Sequence, residues 1–132
     1  MKIQVHVLAG IAGQARDEAP LECCGLLAGR DGLIDEYICT RNIRASEVEY
    51  QIDPADHIAA VKRLRSRGRA ILGAYHSHPR TPAVPSATDL AEAHDRELLY
   101  VIVSLCDDPP DVRAYRLQDG TFVEVPVVAA SD

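Results

Sequence analysis

Two histidines, His76 and His78, stand at the end of an apolar run, Ala70–Ser77, that reads as a strand. Residues i and i+2 of a strand project from one face, so both imidazoles can aim at a single point. Neutral imidazoles bind Zn²⁺ at about 2.0–2.1 Å, and a carboxylate oxygen is a compatible third ligand. Asp89 can supply it, because Pro79, Pro82 and Pro85 stiffen the intervening loop and return the next helical turn to the strand end at low entropic cost. Three protein ligands leave a fourth tetrahedral position for water, which marks a catalytic rather than a structural site. An H-x-H pair alone is a weak signal. Ser86 and Asp89 also form an S-x-x-D pattern, which as a capping box requires no metal. The joint spacing of HSHP and S-x-x-D, with an acid upstream, favours the metal, and Ser86 can do both jobs.

The upstream acid is Glu22, within Pro20-Leu21-Glu22-Cys23-Cys24-Gly25-Leu26-Leu27-Ala28-Gly29. Taken alone, it reads as a solvent-facing residue at a strand entry. If the fold brings it to the metal, it becomes a general base. It would then take a proton from water whose pKa the zinc lowers towards about 7, and pass it to the leaving amine.

The elements that must position these groups alternate along the chain. Ile3–Val7 alternates like a strand, but Val7, Leu8, Ile11 and Ala15 fall at helical spacing, which favours a helix from about His6 to Glu18. Leu26–Ala28 and Ile34–Thr40 read as a hairpin across Arg30-Asp31-Gly32. Asp53 as N-cap, Pro54 at the first helical position and Gly68 after the end delimit a helix with Ile58, Val61 and Leu64 on its apolar face. Its basic residues Lys62, Arg63, Arg65 and Arg67 read as a solvated face that complements the helix dipole, with a docking patch for an acidic partner as the alternative. Ser86–Leu98 reads as a helix, and Leu99–Leu105 as a buried strand. Val112–Leu117 and Thr121–Val128 read as strands paired across Gln118-Asp119-Gly120. The expected fold is α/β, a mixed, largely antiparallel central sheet flanked by helices, in one domain over residues 1–132.

Composition narrows the function classes. The 132 residues are 47% apolar and 26% charged, enough for one core. With 14 Lys+Arg against 20 Asp+Glu, the formal charge of −6 disfavours a phosphate-backbone binder. There is no Trp and only one Phe, Phe122, so base-stacking platforms are missing and nucleic acid is not an expected partner. No apolar run approaches the about 20 residues of a membrane span, and the first ten residues make a poor secretory leader, so they read as part of the fold. Cys23, Cys24, Cys39 and Cys106 contain no CxxC pair and read as reduced, partly buried thiols of a cytoplasmic protein. His6 and His57 fall on helices as satisfied or exposed residues. His94 falls on the same helix as Asp89, with a place near the second sphere of the site as the less favoured alternative, and Ser77 points to the opposite strand face. Neither HExxH, GxSxG nor a P-loop pattern occurs, and the H-x-E and P-C-x-x-C of the zinc deaminases are also missing.

The combination of Glu22 in P-x-E-C-C-G-L-L-x-G with H-S-H-P-x6-S-x-x-D closely resembles the JAMM/MPN+ metalloproteases (the Mov34/MPN/PAD-1 group), in particular their compact prokaryotic members. The resemblance runs over about residues 3–128. It implies a sheet flanked by helices related to the cytidine deaminases, and one zinc per chain held by His76, His78 and Asp89. It also implies Glu22 as acid/base and Ser86 as hydrogen-bond donor to the oxyanion at the scissile carbonyl. The insertions with which larger eukaryotic relatives grip ubiquitin have no room here. The resemblance therefore points to the bacterial branch acting on ubiquitin-like sulfur-carrier proteins, removing an amino acid or peptide attached after a C-terminal Gly-Gly, as in carrier-dependent cysteine biosynthesis. A narrow groove admitting only a Gly-Gly tail suits that role, since side chains would block approach to the metal. A homodimer is compatible with it. The alternatives are a non-catalytic MPN-type binding or scaffold module for a small carrier protein, and more distantly a DNA-repair relative, which the acidic charge disfavours. Metal-free relatives lose one or more ligands, and here none is lost.

Overall fold

The computed structural model describes all residues, 1–132. A short strand β1 (Lys2–Gln4) runs straight into helix α1 (Val5–Glu18), so the alternation of the first residues and the helical spacing after them are both realised, one after the other. Val7, Ile11 and Ala15 form the buried stripe of α1. Strands β2 (Cys24–Arg30) and β3 (Leu33–Thr40) make the hairpin. Its turn places Asp31 and Gly32 at φ +53° and +76°, the left-handed pair that matches strand twist in a two-residue loop.

Helix α2 (Pro54–Arg65) begins as its signals predict, with the Asp53 carboxylate accepting the Ala55 N–H at 2.8 Å. Its buried stripe differs from expectation: Ala60 and Leu64, one turn apart, pack on the sheet and leave Ile58 exposed. Two residues along a helix rotate a side chain by about 200°, so Ile58 and Ala60 cannot share the buried face. Part of the basic run is paired rather than solvated. Of that run Arg63 reaches Glu36 at 2.8 Å, and Arg69, beyond the helix, pairs with Asp35 and Glu36, both carboxylates on β3.

Strand β4 (Ala70–His78) is followed by helix α3 (Ala87–Glu92), shorter than the expected Ser86–Leu98. Asp95 explains the early stop: its carboxylate takes the Glu97 N–H at 2.8 Å, and its own N–H goes to the Tyr100 hydroxyl, so the backbone leaves the helical ladder. Strands β5 (Leu99–Ser104) and β6 (Asp111–Gln118) follow. The expected last strand is two, β7 (Thr121–Val125) and β8 (Val128–Ala130), broken at Pro126, which has no N–H for a ladder.

The eight strands form one mixed sheet in the order β7-β6-β5-β4-β2-β3-β1-β8. The pairings β7–β6, β6–β5, β4–β2 and β2–β3 are antiparallel; β5–β4, β3–β1 and β1–β8 are parallel. Because β7 and β8 are consecutive in the chain yet lie at opposite edges, the sheet must curl until two linking residues span them. It curls around α1, whose Val7, Ile11 and Ala15 pack with Leu27, Tyr75, Val101 and Val103. On the other face, Leu26 and Ala74 pack under α2, and Ile102 with Tyr115 under the α3 side. No helix is long and apolar enough to cross a membrane.

Candidate metal centre and cleft

Strand alternation turns Tyr75 and Ser77 towards α1 and leaves His76 and His78 on the opposite face. Both histidines are buried, and their Nε2 atoms lie 3.2 Å apart. The α3 capping box carries Asp89 to them. The Ser86 hydroxyl accepts the Asp89 N–H at 3.0 Å, and the Asp89 carboxylate accepts the Ser86 N–H at 2.9 Å. That carboxylate oxygen, Oδ2, lies 3.1 Å from Nε2 of each histidine. Capping and convergence are thus the same geometry, and Ser86 does the first job while leaving its own O–H free to donate elsewhere.

The three donors suit a divalent ion. Ligand atoms of a tetrahedral zinc stand about 3.3 Å from one another, close to the 3.1–3.2 Å triangle here. His78 Nδ1 sits 2.9 Å from the Pro82 carbonyl, which can accept only an N–H, so Nε2 keeps its lone pair towards the triangle. Burial lowers the pKa of His76 and outweighs the Asp89 hydrogen bond, keeping the ring neutral, as ligation requires. At His78 burial also lowers, but the bonds to Asp89 and Pro82 prevail and the pKa is raised. At Asp89 burial is overcome by the hydrogen bonds from both histidines, and the carboxyl is held well below the usual range.

Glu22 is buried, not solvent-facing, and the fold holds its backbone on both sides. The Cys23 N–H donates to the Ser77 hydroxyl at 2.8 Å and the Ser77 N–H to the Cys23 carbonyl at 3.0 Å, pinning the entry of β2 to the histidine strand. The Glu22 N–H donates to the Ser46 carbonyl at 2.8 Å, and the Glu22 carbonyl accepts from Asn42 Nδ2 at 3.1 Å. Its Oε1 is the one buried side-chain oxygen or nitrogen without a hydrogen-bond partner in the protein. Burial, with Asp89 and Glu49 adding and His78 opposing, pushes its pKa up to about 8. Glu22, His78 and Ser86 share the wall of a cleft of about 430 Å³, with Glu47, Val48 and Arg80 also lining it.

Gly25, beside this entry, is required by close approach, since a Cβ there would run into the Tyr75 ring and the Ile38 carbonyl. Cys24 fills space at the same level, its thiol pushed up to about 11 by burial. All four cysteines are free; Cys23 and Cys24 are buried, Cys39 and Cys106 exposed.

Two residues escaped the sequence. Asn42 uses its whole amide: Nδ2 donates to the Glu22 and Glu49 carbonyls, while Oδ1 accepts the N–H groups of Arg44 and Gln51 at 3.0 Å each. It therefore organises the segment between β3 and α2 and ties it to Glu22. Tyr50, on that segment, stacks on His76 with ring centroids 4.2 Å apart and planes 18° apart. An Asn shortly after a strand was the only available signal, and nothing marked Tyr50. His94 lies beyond the end of α3, in a groove beside Tyr50, and is not among the converging donors. His6 is exposed and pairs with Asp132 at 2.7 Å, and His57 is exposed on α2.

Curled mixed sheet, buried His-His-Asp triangle and neighbouring unpaired glutamate together define the JAMM/MPN class. The comparisons agree: the family model described as prokaryotic homologs of the JAB domain matches residues 4–118, and the chain belongs to that family. It is 31% identical over 128 residues to the CysO-cysteine peptidase of Mycobacterium tuberculosis, covering 95% of this chain and 88% of the relative. It is 38% identical over 112 residues to a probable TtuB-protein conjugate cleaving protease of Thermus thermophilus, covering 84% and 72%. A desampylase of Haloferax volcanii is 34% identical over 102 residues, covering 75% and 70%. Among solved structures, a Desulfitobacterium hafniense protein superposes with a TM-score of 0.91 at 32% identity, covering 99% and 93%. A JAB1/MPN domain protein of Archaeoglobus fulgidus shares the fold, with a TM-score of 0.66 at 24% identity over 98% of each chain. The chain is an enzyme of the peptidase type.

Proposed function

We propose that this protein is a zinc-dependent peptidase or isopeptidase that hydrolyses the amide bond after the C-terminal Gly-Gly of a ubiquitin-like carrier protein. The observation that carries the reading is a buried carboxyl with an unpartnered oxygen, opening on the same cleft as a complete His-His-Asp donor set. A merely structural acid would have found a partner, because an unsatisfied buried polar atom costs about 1–3 kcal/mol.

His76, His78 and Asp89 would hold one zinc. When bound, that ion supplies Lewis-acid polarisation of the scissile carbonyl and an acidified water. Glu22 takes the proton from the attacking water and delivers it to the leaving amine. In the chain alone burial pushes the Glu22 pKa up to about 8, and a cation held by the neighbouring donors would lower it towards the range a base needs. Ser86, whose oxygen is fixed by the Asp89 N–H, turns its O–H into the cleft towards the developing oxyanion. The names of the relatives, a CysO-cysteine peptidase, a probable TtuB-protein conjugate cleaving protease and a desampylase, support the substrate class. The sheet draws strands from Lys2 to Ala130, which supports taking residues 1–132 as one domain.

The test is incubation of the zinc-loaded protein with Gly-Gly-ended carrier proteins bearing different attached residues, followed by mass. Cleavage directly after Gly-Gly is expected. Intact conjugates throughout would refute the assignment.

A further inference from the structure

The names of two relatives point to different conjugates, CysO-cysteine in one and a TtuB-protein conjugate in the other. In an amino acid attached to a carrier through its amine, the leaving group carries a carboxylate next to the scissile nitrogen. In a lysine side-chain conjugate that position is a neutral alkyl chain. One side chain of this cleft bears on that difference. Arg80, two residues past His78, is the only arginine or lysine lining it.

Resting on the carrier-peptidase reading, we infer that Arg80 is a specificity-determining residue that receives the free α-carboxylate of the residue released after Gly-Gly. Its guanidinium already binds a carboxylate, that of Glu47 across the cleft, at 3.0 Å. Both side chains are largely exposed, 75% and 46%. An exposed ion pair of this kind contributes little, so a substrate carboxylate can exchange for Glu47 at small cost. The guanidinium fork can then grip the incoming group with two parallel N–H bonds. With Glu47 on the same wall, a carboxylate entering that part of the cleft without Arg80 would meet its like charge. Glu47 thus acts as a placeholder, keeping the arginine in the cleft until an anionic leaving group arrives.

The experiment compares a Gly-Gly-ended carrier extended by one residue with a free carboxylate, the same conjugate ending in a carboxamide, and one joined to a lysine side chain. Turnover is read with the wild-type zinc-loaded enzyme, and binding by calorimetry with Glu22→Gln. The free-acid conjugate should be preferred over the carboxamide by at least about tenfold in kcat/KM and in affinity. Arg80→Ala should erase that preference, Arg80→Lys restore part of it, and Glu47→Gln strengthen it. Cleavage of free acid and carboxamide at equal rates, or an undiminished preference in Arg80→Ala, overturns the role of Arg80 while leaving the peptidase reading intact. Failure of the wild type to bind or cleave any of the three overturns both.

Discussion

Glu22 carries two distinct consequences at the level of a single side chain. As the base, its replacement by Gln should leave zinc bound and lower kcat by about 10²–10⁴-fold, measured on a Gly-Gly conjugate with metal content assayed in parallel. As a buried acid, it should also shape the stability of the metal-free chain. Its pKa is raised from 4.5 to about 8, so the folded state holds the proton that the unfolded state releases between those values. Metal-free wild type must therefore lose stability as pH rises through that window, whereas Glu22→Gln has no such proton to lose. The melting-temperature advantage of Glu22→Gln over wild type, both treated with chelator, should be near zero at pH 4.5 and largest above pH 8. Ser86→Ala separates the two jobs of Ser86. Loss of the oxyanion donor should cost about 10²–10³ in kcat with zinc retained, while a wild-type rate would leave Ser86 as a helix cap alone.

At the scale of elements, the site is assembled by four segments, and they were not equally legible. The β4 pattern shows why both histidines face one way, and the S-x-x-D start of α3 shows how Asp89 can return to them, since both are local rules of period and capping. The early end of α3 was not readable, because it depends on Asp95 bonding to Tyr100 from the next strand. The segment between β3 and α2 was opaque for a stronger reason. It has no hydrophobic period, and its order comes from the Asn42 amide, which gathers Arg44, Glu49 and Gln51 of the segment itself and reaches the Glu22 carbonyl, 20 residues away, only once the strands have paired. Asn42→Ala should loosen the grip on the Glu22 carbonyl and lower kcat about tenfold or more, with zinc content unchanged. A variant with a lower melting temperature but normal kcat would reduce Asn42 to a purely structural residue.

For the molecule as a whole, mixed α/β class and strand pairing across the two tight turns followed from pattern, but closure did not. The parallel pairing of β1 with β3 and of β8 with β1 joins the first and last strands of the chain, and no local signal announces contacts of that separation. Pro126 did mark the break, though the expected strand ran through it. What carries Glu22 to the histidines is the antiparallel pairing of β2 with β4, which sets Cys24 opposite His76. The central claim is that three side chains from β4 and α3 share one ion while Glu22 does not ligate it. Metal analysis of purified protein tests this most directly: close to one zinc per chain in wild type and Glu22→Gln, and most of it lost in His76→Ala and Asp89→Ala. Near-full zinc in both of the latter variants would contradict the account.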